Sequence, residues 1–480
     1  MQREHLRGGR QGIGVELSRP AIANCDRKTV DRKMEDRKTM DQRSVGFGRR
    51  EFLIRSAAAV MAPLVIPSGV LAWLGRPGAN ERLTLGHIGV GGMGGAHLDV
   101  SLALRKLDSV NIAAVCEADS NRLAAAAKKV GEGCRTYSNY RDLLEQPDID
   151  AVVIATPDHW HAVQAVHACQ ARKHVYVEKP ASCTVAEGRA MVAAARQNNC
   201  VVQVGSQARS AEPAHQVCTY IRNGMLGKVH TVTCWHTENP SGGPTQESPP
   251  PPELDWDAWL GPLSWRPYIP GAYHPGNFRW MMESGGGVIR DRGAHVMSVI
   301  LWCLDADQQT PATIEATGDP RPKGVWDCPP KMKVVYQFKD PDWQLIWEQP
   351  GDVRGEGGFG MVFHGEQDTL AVSRDGTRIP AADRVRNFQP PAGGVEVYRM
   401  AKHADYNMNH KEDWLQAVKE VRNPCMDIDV AHRVANLCNL GNLSYILGRK
   451  LTWDGRAEQF VGDDEAQRML ARPEREKYRI

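Results

Sequence analysis

The sequence lacks any apolar run of the ~18–20 residues that a membrane-spanning helix needs, so we predict no ordinary membrane-spanning helix. It also lacks a large excess of one charge. Its 59 Lys and Arg stand against 57 Asp and Glu, which argues against a dedicated nucleic-acid-binding protein. The 12 cysteines form neither a Cys-x-x-Cys pair nor a disulfide framework, and no histidine cluster has zinc-ligand spacing, so we predict no metal site. What remains is a globular composition, long enough for two or three domains.

The first 80 residues differ from the rest of the chain. Residues 1–43 are polar, repeat Asp-Arg-Lys and show no apolar periodicity, so we predict a disordered leader. In residues 44–78 the pair Arg49-Arg50 precedes a moderately apolar stretch, Ala57–Leu71, which resembles a twin-arginine export signal. This resemblance predicts passage through the twin-arginine machinery to the periplasm, with no stable membrane span after processing. The alternative is a basic surface helix on a cytoplasmic protein.

A glycine-rich motif follows the first predicted strand. The apolar segment Leu83–Val90 leads into Gly-Val-Gly-Gly-Met-Gly and then into a helical segment, which is the context of a dinucleotide-binding GxGxxG. The first glycine permits the tight turn, the second lets a pyrophosphate approach, and the third lets the helix pack on the strand. The residues predicted to bind the phosphates are Gly89, Gly91, Gly92, Met93 and Gly94.

An acidic residue ends the second predicted strand. Glu117 follows Val110–Cys116, at about the spacing of ~20 residues expected for the group that holds the adenosine ribose. A carboxylate there repels a 2′-phosphate, so we predict tightly bound NAD, with NADP less favoured. Asp119 and Arg122 nearby keep NADP open. The alternative for Glu117 is a solvated strand end.

Strands and helices alternate from residue 82 to 207. This rhythm predicts an α/β fold with a doubly wound parallel sheet, a Rossmann domain that binds ligands at the carboxyl ends of its strands. The residues at or near such ends that we predict to contact the cofactor are Thr156, Pro157, Asp158, Trp160, His161, Glu178, Lys179 and Gln207. His159 and His161 also suggest a metal, but no further ligands accompany them, so a cofactor wall is favoured.

The second half of the chain has a different rhythm. Strand-like runs and helices from residue 208 to 465 predict a C-terminal α+β domain, with a tail at 466–480. Five tryptophans fall within 46 residues of it, at positions 235, 256, 259, 265 and 280. For most of them we favour core packing over sugar binding. Trp280, with its neighbour Arg279, is the substrate-side candidate.

Four motifs in order resemble those of the Gfo/Idh/MocA oxidoreductase family. They are Gly89–Gly94, Thr156–His161, Glu178–Pro180 and Gly285–His295. The resemblance covers about residues 45–480, and segments from Gly448 and Gly462 resemble a secreted branch. It implies that the second domain is an open, mostly antiparallel sheet that covers the cofactor, and that the protein forms a homodimer or homotetramer. It also implies a small carbohydrate substrate.

Hydride transfer from an alcohol needs a proton acceptor and a cation that stabilises the alkoxide. Asp291 and His295 are four apart in a segment that becomes helical, Gly293–Leu304, so both can lie on one face. The resemblance assigns Lys179 as alkoxide stabiliser or alternative base, His295 as proton acceptor and Asp291 as the residue that orients His295. Judged from the residues alone, a snorkelling lysine, a core histidine and a helix-capping aspartate remain alternatives.

These observations predict an NAD(P)-dependent oxidoreductase acting on a hydroxyl carbon of a sugar, sugar derivative or cyclitol. The first alternative is an NAD-dependent glycosidase that oxidises the ring transiently and eliminates the glycoside, a cycle that needs no pair of carboxylates. The second is a non-catalytic nucleotide-binding protein. Two positions depart from the family pattern and bear on specificity: Ser298, where an acid is frequent, and Arg292, where an apolar residue is common.

The nucleotide carried by the protein tests the first half of this interpretation. Protein purified from the exported fraction and then denatured is expected to release stoichiometric NAD, identified by mass spectrometry, because Glu117 disfavours a 2′-phosphate. Release of NADP would contradict the role given to Glu117. A preparation without nucleotide would contradict tight binding.

Overall fold

Two β-sheets organise the described part of the chain in the computed structural model, which covers residues 82–351, 359–373, 382–397 and 402–480. The predicted leader and export signal, residues 1–43 and 44–78, lie outside these residues. All described residues belong to one compact unit, Pro67–Ile480. Within the described ranges, no helix combines the length and the apolarity needed to cross a membrane.

The first sheet has six parallel strands in the order β3-β2-β1-β4-β5-β6. Its strands are β1 (Leu83–Ile88), β2 (Val110–Cys116), β3 (Arg135–Tyr137), β4 (Ala151–Ile154), β5 (His174–Glu178) and β6 (Val202–Gly205). The helices between them are Gly92–Lys106, Ser120–Val130, Tyr140–Leu144, His161–Gln170 and Val185–Gln197. This order confirms the predicted doubly wound sheet, whose ligand crevice lies where the strand order reverses, between β1 and β4.

Local sequence accounts for several of these boundaries. Every residue of β4 is buried, as an apolar run in a sheet covered on both faces should be. The Asp119 side chain accepts a hydrogen bond from the Arg122 backbone and starts the second helix. Thr184 and Glu187 form a reciprocal capping box at the start of Val185–Gln197.

The second sheet has eight strands in the order β12-β11-β7-β10-β9-β8-β13-β14. They are β7 (Val229–His236), β8 (Thr313–Gly318), β9 (Met332–Lys339), β10 (Asp342–Gln349), β11 (Phe359–Gly365), β12 (Thr369–Ser373), β13 (Leu451–Asp454) and β14 (Gln459–Phe460). β7 pairs with β10 in parallel, and the other neighbouring strands of this sheet pair antiparallel. The predicted, mostly antiparallel second sheet is therefore confirmed.

The α-helices of the second half are Glu212–Arg222, Trp256–Leu260, Ala294–Cys303, Ala382–Arg386, Tyr406–Glu420, Ile428–Leu447 and Asp464–Arg468. A single π-helical turn, Ile289–Gly293, leads directly into Ala294–Cys303. The sequence predicted the helix from Gly293 and did not predict this wider turn. A π-turn inserts one residue into a helix and changes which side chains share a face.

Segments near the C-terminus return to the first domain. Trp414, on the helix Tyr406–Glu420, is fully buried and packs edge-on against Tyr176 of β5. The predicted tail is also packed: Arg472 forms an ion pair of 2.6 Å with Glu187, and Tyr478 lies edge-on against Trp160. Helix Asp464–Arg468 crosses the boundary proposed at residue 465. Residues 466–480 thus cover the nucleotide-binding half.

A fully buried lysine lies between Tyr406–Glu420 and the first domain. Lys411 Nζ donates to the His97 carbonyl oxygen at 3.2 Å and to Ser101 Oγ at 3.3 Å, and lies 5.1 Å from the centre of the Tyr176 ring. Burial lowers the pKa of Lys411 to about 7, although the nearby Glu178 carboxylate opposes this change. Burial has this effect because it removes water from the charged form.

Lys411 is expected to make the free energy of unfolding depend on pH. In the unfolded chain the lysine keeps its proton up to about pH 10. Between about pH 7 and pH 10 the unfolded state therefore binds more protons than the folded state. In this window the contribution of Lys411 makes the free energy of unfolding increase with pH. Lys411→Met removes that rise. The variant is expected to exceed the parent by about a few kcal/mol near pH 6.5 and to lose this advantage near pH 9.5.

Denaturant unfolding of both proteins at the two pH values measures this difference. Lys331→Met, at an exposed lysine of the second domain, is the control and should show no such trend. A stability difference between Lys411→Met and the parent that does not depend on pH would contradict the assignment.

Candidate functional site

A cleft of about 660 Å³ lies at the carboxyl end of the first sheet and is lined by both halves of the chain. It collects most of the residues that the sequence nominated: Gly89, Gly91, Gly92, Met93, Glu117, Thr156, Pro157, Asp158, His161, Glu178, Lys179, Gln207, Arg279, Asp291 and His295. Gly94, Trp160 and Trp280 do not line it. Residues far apart in sequence therefore share one solvent-accessible space.

The glycine loop at one end of the cleft has the geometry of a dinucleotide-binding turn. Gly89 has a φ of +79°, which favours glycine, and a Cβ atom there would lie 2.8 Å from the Thr156 nitrogen. A Cβ atom on Gly94 would overlap the Gly89 carbonyl oxygen. Gly91 caps the helix Gly92–Lys106 without a side chain, so backbone N–H groups at a helix start face the cleft. A diphosphate fits this position.

Glu117 is held against that loop. Its carboxylate accepts hydrogen bonds from the Val90 nitrogen at 2.9 Å and from the Ala118 nitrogen at 2.8 Å. Each carboxylate oxygen can accept a further bond, so the group remains able to bind ribose hydroxyls. Arg122 lies beside it, with a guanidinium nitrogen 2.6 Å from the position of a Cβ on Gly91. This arginine was noted in the sequence only as a reason to keep NADP open.

Trp160 belongs to a second, smaller cavity of about 210 Å³. This cavity shares Glu117 and Thr156 with the main cleft and is lined also by Tyr140 and Tyr478. The Trp160 indole donates to the Trp259 carbonyl oxygen at 3.0 Å. The sequence predicted Trp160 to contact the cofactor, and the structure places it at this side cavity and not at the main cleft.

An ion pair joins the two halves at the centre of the cleft. Lys179, next after β5, donates from Nζ to Asp291 Oδ1 at 2.5 Å and to the Asp291 carbonyl oxygen at 2.8 Å. Asp291 lies in the π-turn, and its side chain is 4% exposed. Burial alone would raise the pKa of Asp291, but the neighbouring charges of Lys179, Arg279 and Arg292 hold it well below its usual range. Asp291 is therefore ionised.

The contacts of Asp291 differ from the expected ones. Besides Lys179, its carboxylate faces Arg279 Nε at 3.2 Å and Arg292 Nε at 3.1 Å. Both oxygens thus serve cations, and the carboxylate positions Lys179. His295 lines the same cleft from the following α-helix. The orientation of His295 by Asp291 stays a prediction, because the π-turn alters the four-residue spacing on which it rested.

A second carboxylate, Glu178, accepts from the Lys179 backbone nitrogen at 3.1 Å and has other donors on its second oxygen. Glu178 Oε1 accepts from His97 Nε2 at 2.8 Å and from Gln207 Nε2 at 2.6 Å. Burial opposes ionisation, but the hydrogen bond from His97 and the nearby Lys179 charge lower the pKa of Glu178 to about 2. Burial lowers the pKa of His97, so its ring is a neutral donor at pH 7. The sequence did not nominate His97.

The histidines of the Thr156–His161 segment are held by the backbone. The His161 nitrogens lie 2.8 Å from the Pro180 carbonyl oxygen and 2.9 Å from that of Thr156. His159 Nε2 lies 3.2 Å from the Trp259 carbonyl oxygen. Among the described residues, no group of three or more His, Cys, Asp or Glu could hold a metal ion. Burial raises the pKa of Asp158, the remaining carboxyl group in this wall.

The aromatic residues of the loop after β7 are arranged differently from the prediction. Trp280 is half-buried against the core and donates to Asn277 at 3.3 Å, so its nomination as a substrate contact is not supported by its position. Trp259 and Phe278 line the cleft instead. Trp265 is 66% exposed, while Trp235, Trp256 and Trp259 are buried. Core packing therefore holds for most of the five tryptophans.

The strand order and the glycine turn define the class of the protein: a dinucleotide-binding α/β protein with a second domain that completes its cleft. The oxidoreductase family model of the NAD-binding Rossmann fold matches residues 83–206. The oxidoreductase family model of the C-terminal alpha/beta domain matches residues 213–354 and 384–480. The chain therefore belongs to the Gfo/Idh/MocA oxidoreductase family, and its first half is an NAD-binding domain.

Curated relatives share part of their length with this chain. Levoglucosan dehydrogenase of Pseudarthrobacter phenanthrenivorans is 31% identical over 194 residues, 39% of this chain and 45% of that protein. Myo-inositol 2-dehydrogenase of Thermotoga maritima is 25% identical over 174 residues, 36% and 48% of the two chains. Glycosyl hydrolase family 109 protein 2 of a Shewanella species is 31% identical over 205 residues, 38% and 44%. The chain spans about half the length of the curated relatives it matches.

Solved structures share the fold over most of the chain. The WlbA dehydrogenase of Bordetella pertussis, crystallised with NADH and UDP-GlcNAcA, has a TM-score of 0.59 at 18% identity, covering 78% of this chain and 99% of that one. Levoglucosan dehydrogenase with NADH and levoglucosan has a TM-score of 0.56 at 22% identity, covering 77% and 99%. At these identities the likeness shows the fold.

The close packing at Gly94 gives a direct test of the glycine turn. Gly94→Ala places a methyl group on the Gly89 backbone and is expected to cost at least about 2 kcal/mol of stability and to weaken NAD binding strongly. Gly95→Ala is the matched control, because its Cβ would lie at an ordinary 3.7 Å from the Val90 oxygen and alanine favours the helix. Thermal unfolding and calorimetric titration with NAD measure both effects. Equal behaviour of the two variants would contradict this account.

Proposed function

We propose that the protein is an NAD-dependent oxidoreductase that transfers hydride between a nicotinamide cofactor and a hydroxyl carbon of a sugar, sugar derivative or cyclitol. The observation that carries the proposal is the Lys179–Asp291 pair with His295, all in the cleft that begins at the glycine turn. The levoglucosan and inositol dehydrogenases among the relatives support the choice of substrate class.

The residues that fit the cofactor are the glycine turn, Glu117 and the wall formed by Thr156–His161. NAD, when bound, supplies the hydride acceptor or donor. In the proposed mechanism His295 takes the proton of the substrate hydroxyl. Lys179 Nζ has given two N–H groups to Asp291, so one remains to stabilise the alkoxide. Asp291 fixes that ammonium group in the cleft and compensates its charge.

An NAD-dependent glycosidase is the second candidate. The relative named glycosyl hydrolase family 109 protein 2 favours it, and the same proton acceptor and ammonium group would serve transient oxidation of a ring carbon. The two functions differ in what the holoprotein does alone. Release of dye from nitrophenyl glycosides without added nucleotide supports the glycosidase, whereas NADH formation from free carbohydrates with added NAD supports the dehydrogenase.

Export to the periplasm through the twin-arginine machinery remains part of this proposal and rests on Arg49-Arg50 and the apolar stretch after it. A cytoplasmic protein is the alternative. Assembly into a homodimer or homotetramer is likewise proposed, with the open second sheet as the contacting surface.

Substitution of the two proposed catalytic side chains tests the function. Lys179→Met and His295→Gln are each expected to lower kcat by about a hundredfold to ten-thousandfold, the usual contribution of an acid–base group. NAD should still bind, because the glycine turn is untouched. Lys129→Met, at a half-exposed lysine paired with Asp99, is the control and should retain full activity. Full activity of Lys179→Met on every accepted carbohydrate would refute the role given to Lys179 in this mechanism.

A further inference from the structure

The charged groups of the cleft form two layers. The carboxylates lie at the back: Asp158, Glu178 and Asp291 are all buried. The guanidinium groups lie in front, since the side chains of Arg279 and Arg292 are 31% and 45% exposed. A molecule that enters the cleft therefore meets positive charge before it meets the acids.

The positive charge around Asp291 exceeds what is needed to balance its single negative charge. Lys179 already compensates the carboxylate through a contact of 2.5 Å. Arg279 and Arg292 each face Asp291 with Nε, at 3.2 Å and 3.1 Å. Arg279 Nη1 donates to the Gly276 carbonyl oxygen at 2.9 Å. Among the described residues, Arg279 Nη2 and both terminal nitrogens of Arg292 have no hydrogen-bond partner in the structure.

The Asp291 carboxylate lies beside both guanidinium groups. The Arg279 guanidinium carbon lies 4.7 Å from the centre of the Phe278 ring, and its Nε lies 3.2 Å from Asp291 Oδ1. Arg292 Nε lies 3.1 Å from the other oxygen of Asp291. A planar guanidinium that is already oriented loses little side-chain entropy when it binds an anion, and its fork of N–H groups matches a carboxylate or phosphate.

We propose that the substrate carries an anionic group, a carboxylate or a phosphate ester, which binds to Arg292 and Arg279 while the reacting hydroxyl carbon faces Lys179 and His295. This inference rests on the proposed function, because it adds a recognition element to the same cleft. A neutral sugar leaves these N–H groups to water and gains nothing from the charge. An acidic carbohydrate gains charge-assisted hydrogen bonds at a preorganised site.

Matched pairs of probes test the inference. The NAD-loaded holoprotein is assayed for hydride transfer and, by calorimetry, for binding, with glucuronate against glucose, galacturonate against galactose, and glucose 6-phosphate against glucose. At least one anionic probe is expected to exceed its neutral partner in kcat/KM or affinity by about tenfold to a hundredfold, the usual effect of hydrogen bonds to a charged group. The uronate and phosphate arms identify the anion.

Variants of Arg292 test whether this residue causes the preference for anionic probes. Arg292→Gln is expected to bring the ratio of anionic to neutral probe close to unity, and Arg292→Lys to restore only part of it, because lysine lacks the planar fork. Arg135→Gln removes the same charge at an ion pair with Asp148 outside the cleft and should keep the parent ratio. Added salt should weaken binding of the anionic probe more than that of its neutral partner.

The outcomes separate this inference from the proposed function. If neutral sugars react and no anionic probe binds better than its partner, the inference is overturned and the proposed function stands. If anionic probes bind through Arg292 and no probe undergoes hydride transfer, the anion site is supported and the proposed function fails. If a preference survives Arg292→Gln unchanged, the assignment to Arg292 is wrong. If no probe of either kind binds or reacts, both are overturned.

Discussion

The ion pair between Lys179 and Asp291 is the constraint on which the rest of the cleft depends. One partner ends a strand of the first sheet and the other lies in the π-turn of the second domain, so the site exists only where the two halves meet. Both side chains are largely removed from water, and an unpaired charge there would be strongly destabilising. The pair therefore couples the packing of the domains to the position of the ammonium group that the chemistry needs.

The same ion pair bears on the hydrogen-bond partners of the neighbouring acid, Glu178. Glu178 is adjacent to Lys179 in sequence and would compete with Asp291 for its charge. His97 and Gln207 donate to Glu178 Oε1, and the Lys179 backbone nitrogen donates to Glu178 Oε2 at 3.1 Å. The Lys179 ammonium group donates instead to Asp291. The buried polar groups behind the cleft thus serve to separate two acids that lie on either side of one lysine.

The part of this arrangement that the sequence could predict follows from strand geometry. Parallel strands end at one edge, so residues that follow β4 and β5 were expected at the same cleft as the glycine turn, as Thr156 and Lys179 are. The position of the aromatic residues in the loop after β7 follows from no such rule of strand geometry. Its path is set by tertiary packing, which is why Trp259 lines the cleft and Trp280 does not. His97 was not predicted for a similar reason. Its role is to bind Glu178, which lies 81 residues further along the chain.

Three consecutive charged residues of the π-turn, Arg290, Asp291 and Arg292, lie in different surroundings. Arg290 is buried and donates to the Cys183 carbonyl oxygen at 3.1 Å, whereas Asp291 and Arg292 both line the cleft. All three residues lie in the π-turn Ile289–Gly293, which is wider than an α-helical turn. A buried acid and a half-exposed arginine thus follow one another and line the same cleft.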